Sequence, residues 1–154
     1  MNFEHLVQIN DPANPMLESL SREQLWRGLW QRVENPMIFL PGLETCDFLE
    51  RDELALVRQL DFGNACIRDR VTFAEQQWLR FEIEPGPGHA GGILTITLEE
   101  PQPEALFLRF NYSTTMALDG EDGRYAEYVK SAYRESDLET VRVIRLLLAE
   151  GSVQ

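Results

Sequence analysis

Positive charge is what this chain has least of. Lys and Arg number 14 against 26 Asp and Glu, which leaves a net charge of −12. A field of that sign repels nucleic acid and anionic membrane surfaces, which argues against a nucleic-acid partner. Cysteine and histidine are scarce too, with two of each. Cys46 and Cys66 have no Cys-x-x-Cys spacing, which argues against a structural zinc site and a disulfide framework, and both read as buried small residues. No apolar run approaches the ~18 residues of a membrane span. The opening Met-Asn-Phe-Glu-His lacks a basic and an apolar signal region, so the expected location is the cytoplasm. Gly-x-Ser-x-Gly, His-Glu-x-x-His and a Ser-His-Asp order are all missing, so metal, nucleotide and acyl-enzyme chemistry have no support and no cofactor is expected. The glycine-rich stretch 85–92 leads into a strand and not a helix, which rules out a phosphate loop. It reads as a plain connection or as a flap at a cavity mouth.

What is present is the composition of an ordinary globular protein, 44% hydrophobic and 26% charged over 154 residues. That is enough chain for one domain, 1–154, with a real core and no visible linker or repeat. The most prominent element is a helix expected over 122–150, about 40 Å long. Asp119, Glu121 and Asp122 place acid at its start, and Gly151 suits its end. Its expected inward stripe is Tyr125, Val129, Ala132, Ser136, Thr140, Ile144 and Leu147, with Glu127, Lys130, Arg134, Glu135, Arg142 and Arg145 facing water. Ala132, Ser136 and Thr140 are small, and a helix resting on a sheet through small residues leaves space beneath it. The helix therefore reads as the wall of a container.

The rest of the chain is mostly strand. Phe3 to Ile9 alternates with Phe3, His5, Val7 and Ile9 on one face. Ser21 and Gln24 form a capping-box pattern that opens a helix carrying Leu25, Trp26, Leu29, Trp30 and Val33. Asn35-Pro36 stops that helix, with one further short turn expected over 37–40. The two tryptophans read as core. About six strands follow between 43 and 115. The two-residue loop Gly63-Asn64 fixes a hairpin register that places Leu60 opposite Ile67 and Arg58 opposite Asp69. Leu54, Leu56, Arg58, Leu60 and Phe62 then share one face. Phe73 opposite Leu79 sets the next register, supported by Arg70 opposite Glu82 and Arg68 opposite Glu84 on the outer face. Leu94, Ile96 and Leu98 face inward beside Leu108, Phe110 and Tyr112. One-sided alternation predicts an antiparallel sheet with one face covered, and the long helix is the element expected to cover it.

This order of elements resembles the helix-grip plan of the START and birch-pollen-allergen-like superfamily (SRPBCC). Phe3-Glu4-His5, Glu23-Gln24-Leu25-Trp26-Arg27-Gly28-Leu29, Arg68-Asp69-Arg70-Val71, Pro85-Gly86-Pro87, Leu94-Thr95-Ile96-Thr97 and Tyr125-Ala126-Glu127-Tyr128 resemble its AtaL-like branch. The resemblance covers essentially the whole chain. It implies an α+β helix-grip fold, with a curved antiparallel sheet of about seven strands around a long C-terminal helix and one or two short helices after strand 1. The wider superfamily includes carriers of apolar molecules, polyketide aromatase/cyclases and lipid-transfer domains, among which fold alone does not choose.

Arg58 and Asp69 are the sharpest polar signal, since burying either charge alone costs several kcal/mol. They read either as an anchor for a ligand oxygen inside an apolar cavity or as a structural ion pair. His5, on the apolar face of strand 1, reads as a satisfied core residue or as an acid–base group. Tyr112, Tyr125 and Tyr133 read as core rings or cavity walls. The expected ligand-binding set is Arg58, Asp69, His5, Phe81, Phe110, Tyr112, Tyr125, Ala132, Ser136 and Thr140. The first expectation is binding of a small apolar, aromatic or polyketide-like molecule. Its alternatives are a cyclase or dehydratase using Asp69 or His5 as acid or base, and an interaction module with a filled core. Oligomeric state is not set by the sequence.

Overall fold

In the computed structural model, which describes residues 2–87, 89–114 and 124–151, seven strands form one antiparallel sheet. They are β1 (Asn2–Gln8), β2 (Thr45–Arg51), β3 (Ala55–Asp61), β4 (Cys66–Ala74), β5 (Trp78–Ile83), β6 (Gly92–Gln102) and β7 (Ala105–Thr114). The order across the sheet is β1-β7-β6-β5-β4-β3-β2. Thus each strand after β2 pairs with its predecessor, and β1 closes onto β7. Gly63 takes a positive φ of 88° at the first position of its two-residue loop, a conformation that glycine adopts without a Cβ clash. The register that follows pairs Arg58 with Asp69 and Leu60 with Ile67, as the loop chemistry predicts. Phe73 pairs with Leu79 and Arg70 with Glu82, also as expected.

Helix α1 (Arg22–Glu34) opens with both halves of the Ser21–Gln24 capping box and closes at Asn35, where a 3₁₀ turn, Pro36–Ile38, follows. Helix α2 (Arg124–Ala149) ends with Gly151 at a φ of 72°. The acids Asp119, Glu121 and Asp122, expected at its start, lie outside the described residues.

Both helices lie on the same face of the sheet, which revises the expectation that α2 alone would cover it. Trp26 and Trp30 of α1 pack on Phe73 of β4, and Tyr133 of α2 stacks on Tyr112 of β7. The two helices meet where Gly28 accepts the Ile144 side chain; a Cβ at Gly28 would lie 2.5 Å from Ile144 Cγ2. The core beneath them is continuous and includes Leu56, Val71, Leu79, Phe81, Ile96, Leu108 and Phe110.

Several local expectations are corrected. Leu54 is exposed and not inward, because the Asp52 carboxylate accepts from the Leu54 and Ala55 backbone N–H groups in a tight turn that delays β3 until Ala55. Cys66 is exposed because it pairs with Asp61 on the solvent face of β4, the face it shares with Arg68 and Arg70, and Cys46 is half-buried on the edge strand β2. Arg145 is half-buried, and donates to the Ile9 and Glu18 carbonyls, fastening α2 to the segment after β1.

Candidate functional site

The buried face of α2 is rotated by one position from the expected stripe. Tyr125 is 50% exposed and Ala132 is exposed, while Val129, Tyr133, Asp137, Thr140 and Ile144 turn inward. The reason is area and hydrogen bonding. Tyr133 lies parallel to the Tyr112 ring at 4.0 Å, burying far more apolar surface than Ala132 could. Asp137 finds two partners waiting on the sheet. The Tyr112 hydroxyl donates to its Oδ1, and His5 Nδ1 lies 2.9 Å from its Oδ2.

Asp137 is fully buried, and the sequence reading missed it. Burial raises its pKa above the usual carboxylate range, against the lowering effect of its bonds from Tyr112 and His5. Burial likewise pushes the Tyr112 phenol up, reinforced by the neighbouring Asp137 charge. His5 therefore has a specific partner on α2, in a chain His5–Asp137–Tyr112.

Arg58 and Asp69 are 2% and 4% exposed and form a two-pronged pair, Nε to Oδ1 at 2.9 Å and Nη2 to Oδ2 at 2.6 Å. Arg58 Nη1 also donates to the Arg32 and Val33 carbonyls. It thereby satisfies the free carbonyls at the C-terminal end of α1 and favours the negative end of the helix dipole. The pair fastens α1 to the sheet.

A second guanidinium lies beside it. Arg32 occupies the inward helical position that follows Leu25 and Leu29, and it is 9% exposed. Its Nη1 donates to Thr140 Oγ1 at 2.7 Å, and that hydroxyl donates onward to the Ser136 carbonyl. Its guanidinium carbon stands 5.4 Å from the centre of the Phe81 ring. Among the described residues it has no ion pair. Burial lowers its pKa, with Tyr112, Asp137 and Asp69 acting in the other direction through space.

Arg32 lines a half-open cleft of about 420 Å³ at the end of the sheet. Tyr133 and Ser136 of α2 form one wall, Ile83, Leu94 and Tyr112 of the sheet another, and residues 89–91 of the β5–β6 loop a third. Within that loop Gly86 bridges His89, and His89 Nε2 donates to the Glu84 carbonyl. Of the expected ligand-binding residues, Tyr112 and Ser136 line this cleft. Phe81, Phe110 and Thr140 are packed in the interior, Arg58 and Asp69 are sealed by each other, and His5 sits behind Asp137. Among the described residues no three His, Cys, Asp or Glu side chains gather to hold a metal ion, and no helix is long and apolar enough to cross a membrane.

A curved antiparallel sheet gripping a long C-terminal helix, with a cleft at one end, is a helix-grip protein. Solved structures agree. The di-domain ARO/CYC StfQ from the steffimycin biosynthetic pathway superposes with a TM-score of 0.71 at 12% identity, covering 98% of this chain and 52% of that one. This chain therefore spans about half the length of that di-domain protein. The Zhui aromatase/cyclase from Streptomyces sp. R1128 matches with a TM-score of 0.57 at 18% identity, over 94% of this chain and 90% of its own. TTHA0849 from Thermus thermophilus matches with a TM-score of 0.65 at 13% identity, over 99% of both chains. No curated protein sequence gives a significant match. The profile of AtaL, acetylaranotin biosynthesis cluster protein L, matches residues 7–151, and the chain belongs to that family.

Proposed function

We propose that this protein binds a small, largely apolar molecule, aromatic or polyketide-like, in the cleft between the sheet and α2. The observation that carries this reading is the cleft itself. Its volume of about 420 Å³ falls in the range of small-molecule sites, and stacked tyrosine rings with Ile83 and Leu94 give it apolar walls. Affinity would come from apolar burial, about 25 cal/mol per Å² before the costs of association. A neutral fluorescent probe, N-phenyl-1-naphthylamine, tests it. The wild type should bind and brighten the probe, and Ser136→Trp, which fills the cleft, should abolish binding. Equal binding by both proteins would remove the cleft from the site.

A second reading, ring closure or dehydration in the same cleft, has its own support in the hydrogen-bonded chain His5–Asp137–Tyr112, which ends on a cleft wall. Under this reading the acid–base role moves from Asp69, held by Arg58, to Tyr112 backed by Asp137. Asp137→Asn should then slow turnover of a polyketide-like substrate while leaving its binding intact, whereas a carrier would show no turnover to lose.

A further inference from the structure

Arg32 is the cation of the cleft and, among the described residues, most of its donors are unspent; the other unpartnered group there, His89 Nδ1, can only accept, because Nε2 donates to the Glu84 carbonyl. A buried guanidinium without a carboxylate is costly, and folded proteins normally pair it. Here the nearby acids are engaged elsewhere, Asp69 in the two-pronged pair with Arg58 and Asp137 by Tyr112 and His5. Arg32 keeps a single hydrogen bond, to the Thr140 hydroxyl, and the rest of its guanidinium fork has no protein partner among the described residues. It also lines the cleft, with Tyr112 and Tyr133 beside it.

We propose that Arg32 is the anchor of the cleft and that the ligand carries an anionic oxygen, as an aromatic or polyketide-like carboxylate or enolate does. The proposal rests on the cleft being a binding site and adds the chemical class of its occupant. A guanidinium presents paired N–H donors that match a carboxylate in one plane. Thr140 holds one end of the fork, and Phe81 supports its face, so the side chain is oriented before the ligand arrives. In an apolar setting such a contact discriminates strongly between an anion and a neutral molecule of the same shape. The remainder of the protein is acidic, so selectivity for an anion has to be local to this group.

The test compares 2-naphthoate with 2-naphthamide, similar in shape but different in charge, by displacement of N-phenyl-1-naphthylamine or by calorimetry. The wild type should bind naphthoate about tenfold to a hundredfold more tightly than naphthamide, the range expected of hydrogen bonds to a charged group. In Arg32→Met the two affinities should converge while the neutral probe still binds. Should Arg32→Met fail to fold, Arg32→Gln retains a donor for Thr140, and the same convergence is expected. Probe binding without a naphthoate preference in the wild type overturns the anchor and leaves the cleft reading standing. A preference that survives in the variants also overturns it. Binding of none of the three molecules by the wild type overturns both.

Discussion

Arg58 and Arg32 lie against the same aromatic ring, their guanidinium carbons 5.2 and 5.4 Å from the centre of Phe81. Their surroundings differ in almost every other respect. Arg58 grips a carboxylate with two donors and two backbone carbonyls with a third nitrogen. Arg32 has one hydroxyl and a cleft. A guanidinium with its valences filled acts as a structural bolt; one left with free donors beside an accessible space is suited to something that arrives later. The difference teaches that burial of charge does not by itself mark a binding site. The inventory of partners does.

The comparison breaks most easily at the bolt. Asp69→Asn or Arg58→Met leaves one buried charge without its partner, and Arg58→Met also frees the carbonyls at the end of α1. The expected loss is about 3–5 kcal/mol of unfolding free energy by urea denaturation. A loss below about 1 kcal/mol would mean that water reaches the pair and that its burial counts for little.

The seam between the helices comes next, because it sets where Arg32 meets Thr140. Gly28→Ala drives a methyl to 2.5 Å from Ile144 Cγ2, so the helices must part or Ile144 must shift. Overpacking of this kind costs about 1–3 kcal/mol. The variant should also weaken binding of the neutral probe, since α2 carries Tyr133 and Ser136 in the cleft wall. Unchanged stability and binding would show that the helix contact yields at little cost and does not set the cleft wall.

How much of this could be read from the residues alone divides along the same line. Strand alternation and the Gly63-Asn64 loop gave the sheet and placed Arg58 opposite Asp69, because both signals are local and a two-residue turn leaves no freedom of register. The buried face of α2 was not legible to within one residue. The stripe through Ala132 and Ser136 and the one through Tyr133 and Asp137 share Val129, Thr140 and Ile144, so periodicity alone cannot separate them. What separates them is Asp137, whose partners Tyr112 and His5 lie 25 and 132 residues away in the chain. A helix aspartate reads as solvent-facing until those partners are brought to it. Arg32 did leave a trace, since it follows Leu25 and Leu29 at the spacing of an inward face, where an arginine is out of place. Its meaning depended on finding that the neighbouring acids were taken.

Asp137 sharpens the comparison through pH. Its folded-state pKa is raised from 3.8, chiefly by burial, so the native state holds the proton more readily than the unfolded chain. The stability tied to that proton is fully present below the unfolded pKa and is lost as pH rises through the folded value. Asp137→Asn removes the titration but keeps an acceptor for Tyr112. Stability of the wild type should therefore fall relative to Asp137→Asn as pH increases from the ordinary carboxyl range, measured by urea denaturation at a series of pH values. A difference that grows in favour of the wild type would mean that the bonds from Tyr112 and His5, with the field of Arg32, outweigh burial.

The smallest expected effect is the most informative one. Arg32→Met exchanges a buried cation for an apolar chain of similar length that can still lie on Phe81. It forfeits one hydrogen bond from a charged group, worth about 1.5–3 kcal/mol, and a cation–ring contact worth about 0.5–2 kcal/mol. Against that it removes the cost of keeping an ion out of water with no carboxylate to compensate it, which is at least of the same order. The two should nearly cancel, leaving stability within about 1 kcal/mol of the wild type. Arg58 and Arg32 would then be separated by several kcal/mol in what the fold requires of them, although both are buried and share a ring. A group that the fold can spare, held at the edge of a cleft by a hydroxyl and an aromatic face, is retained for what enters the cleft. If Arg32→Met instead unfolds as readily as Arg58→Met, Arg32 is a second bolt, and the anchor of the cleft has to be sought among its tyrosines.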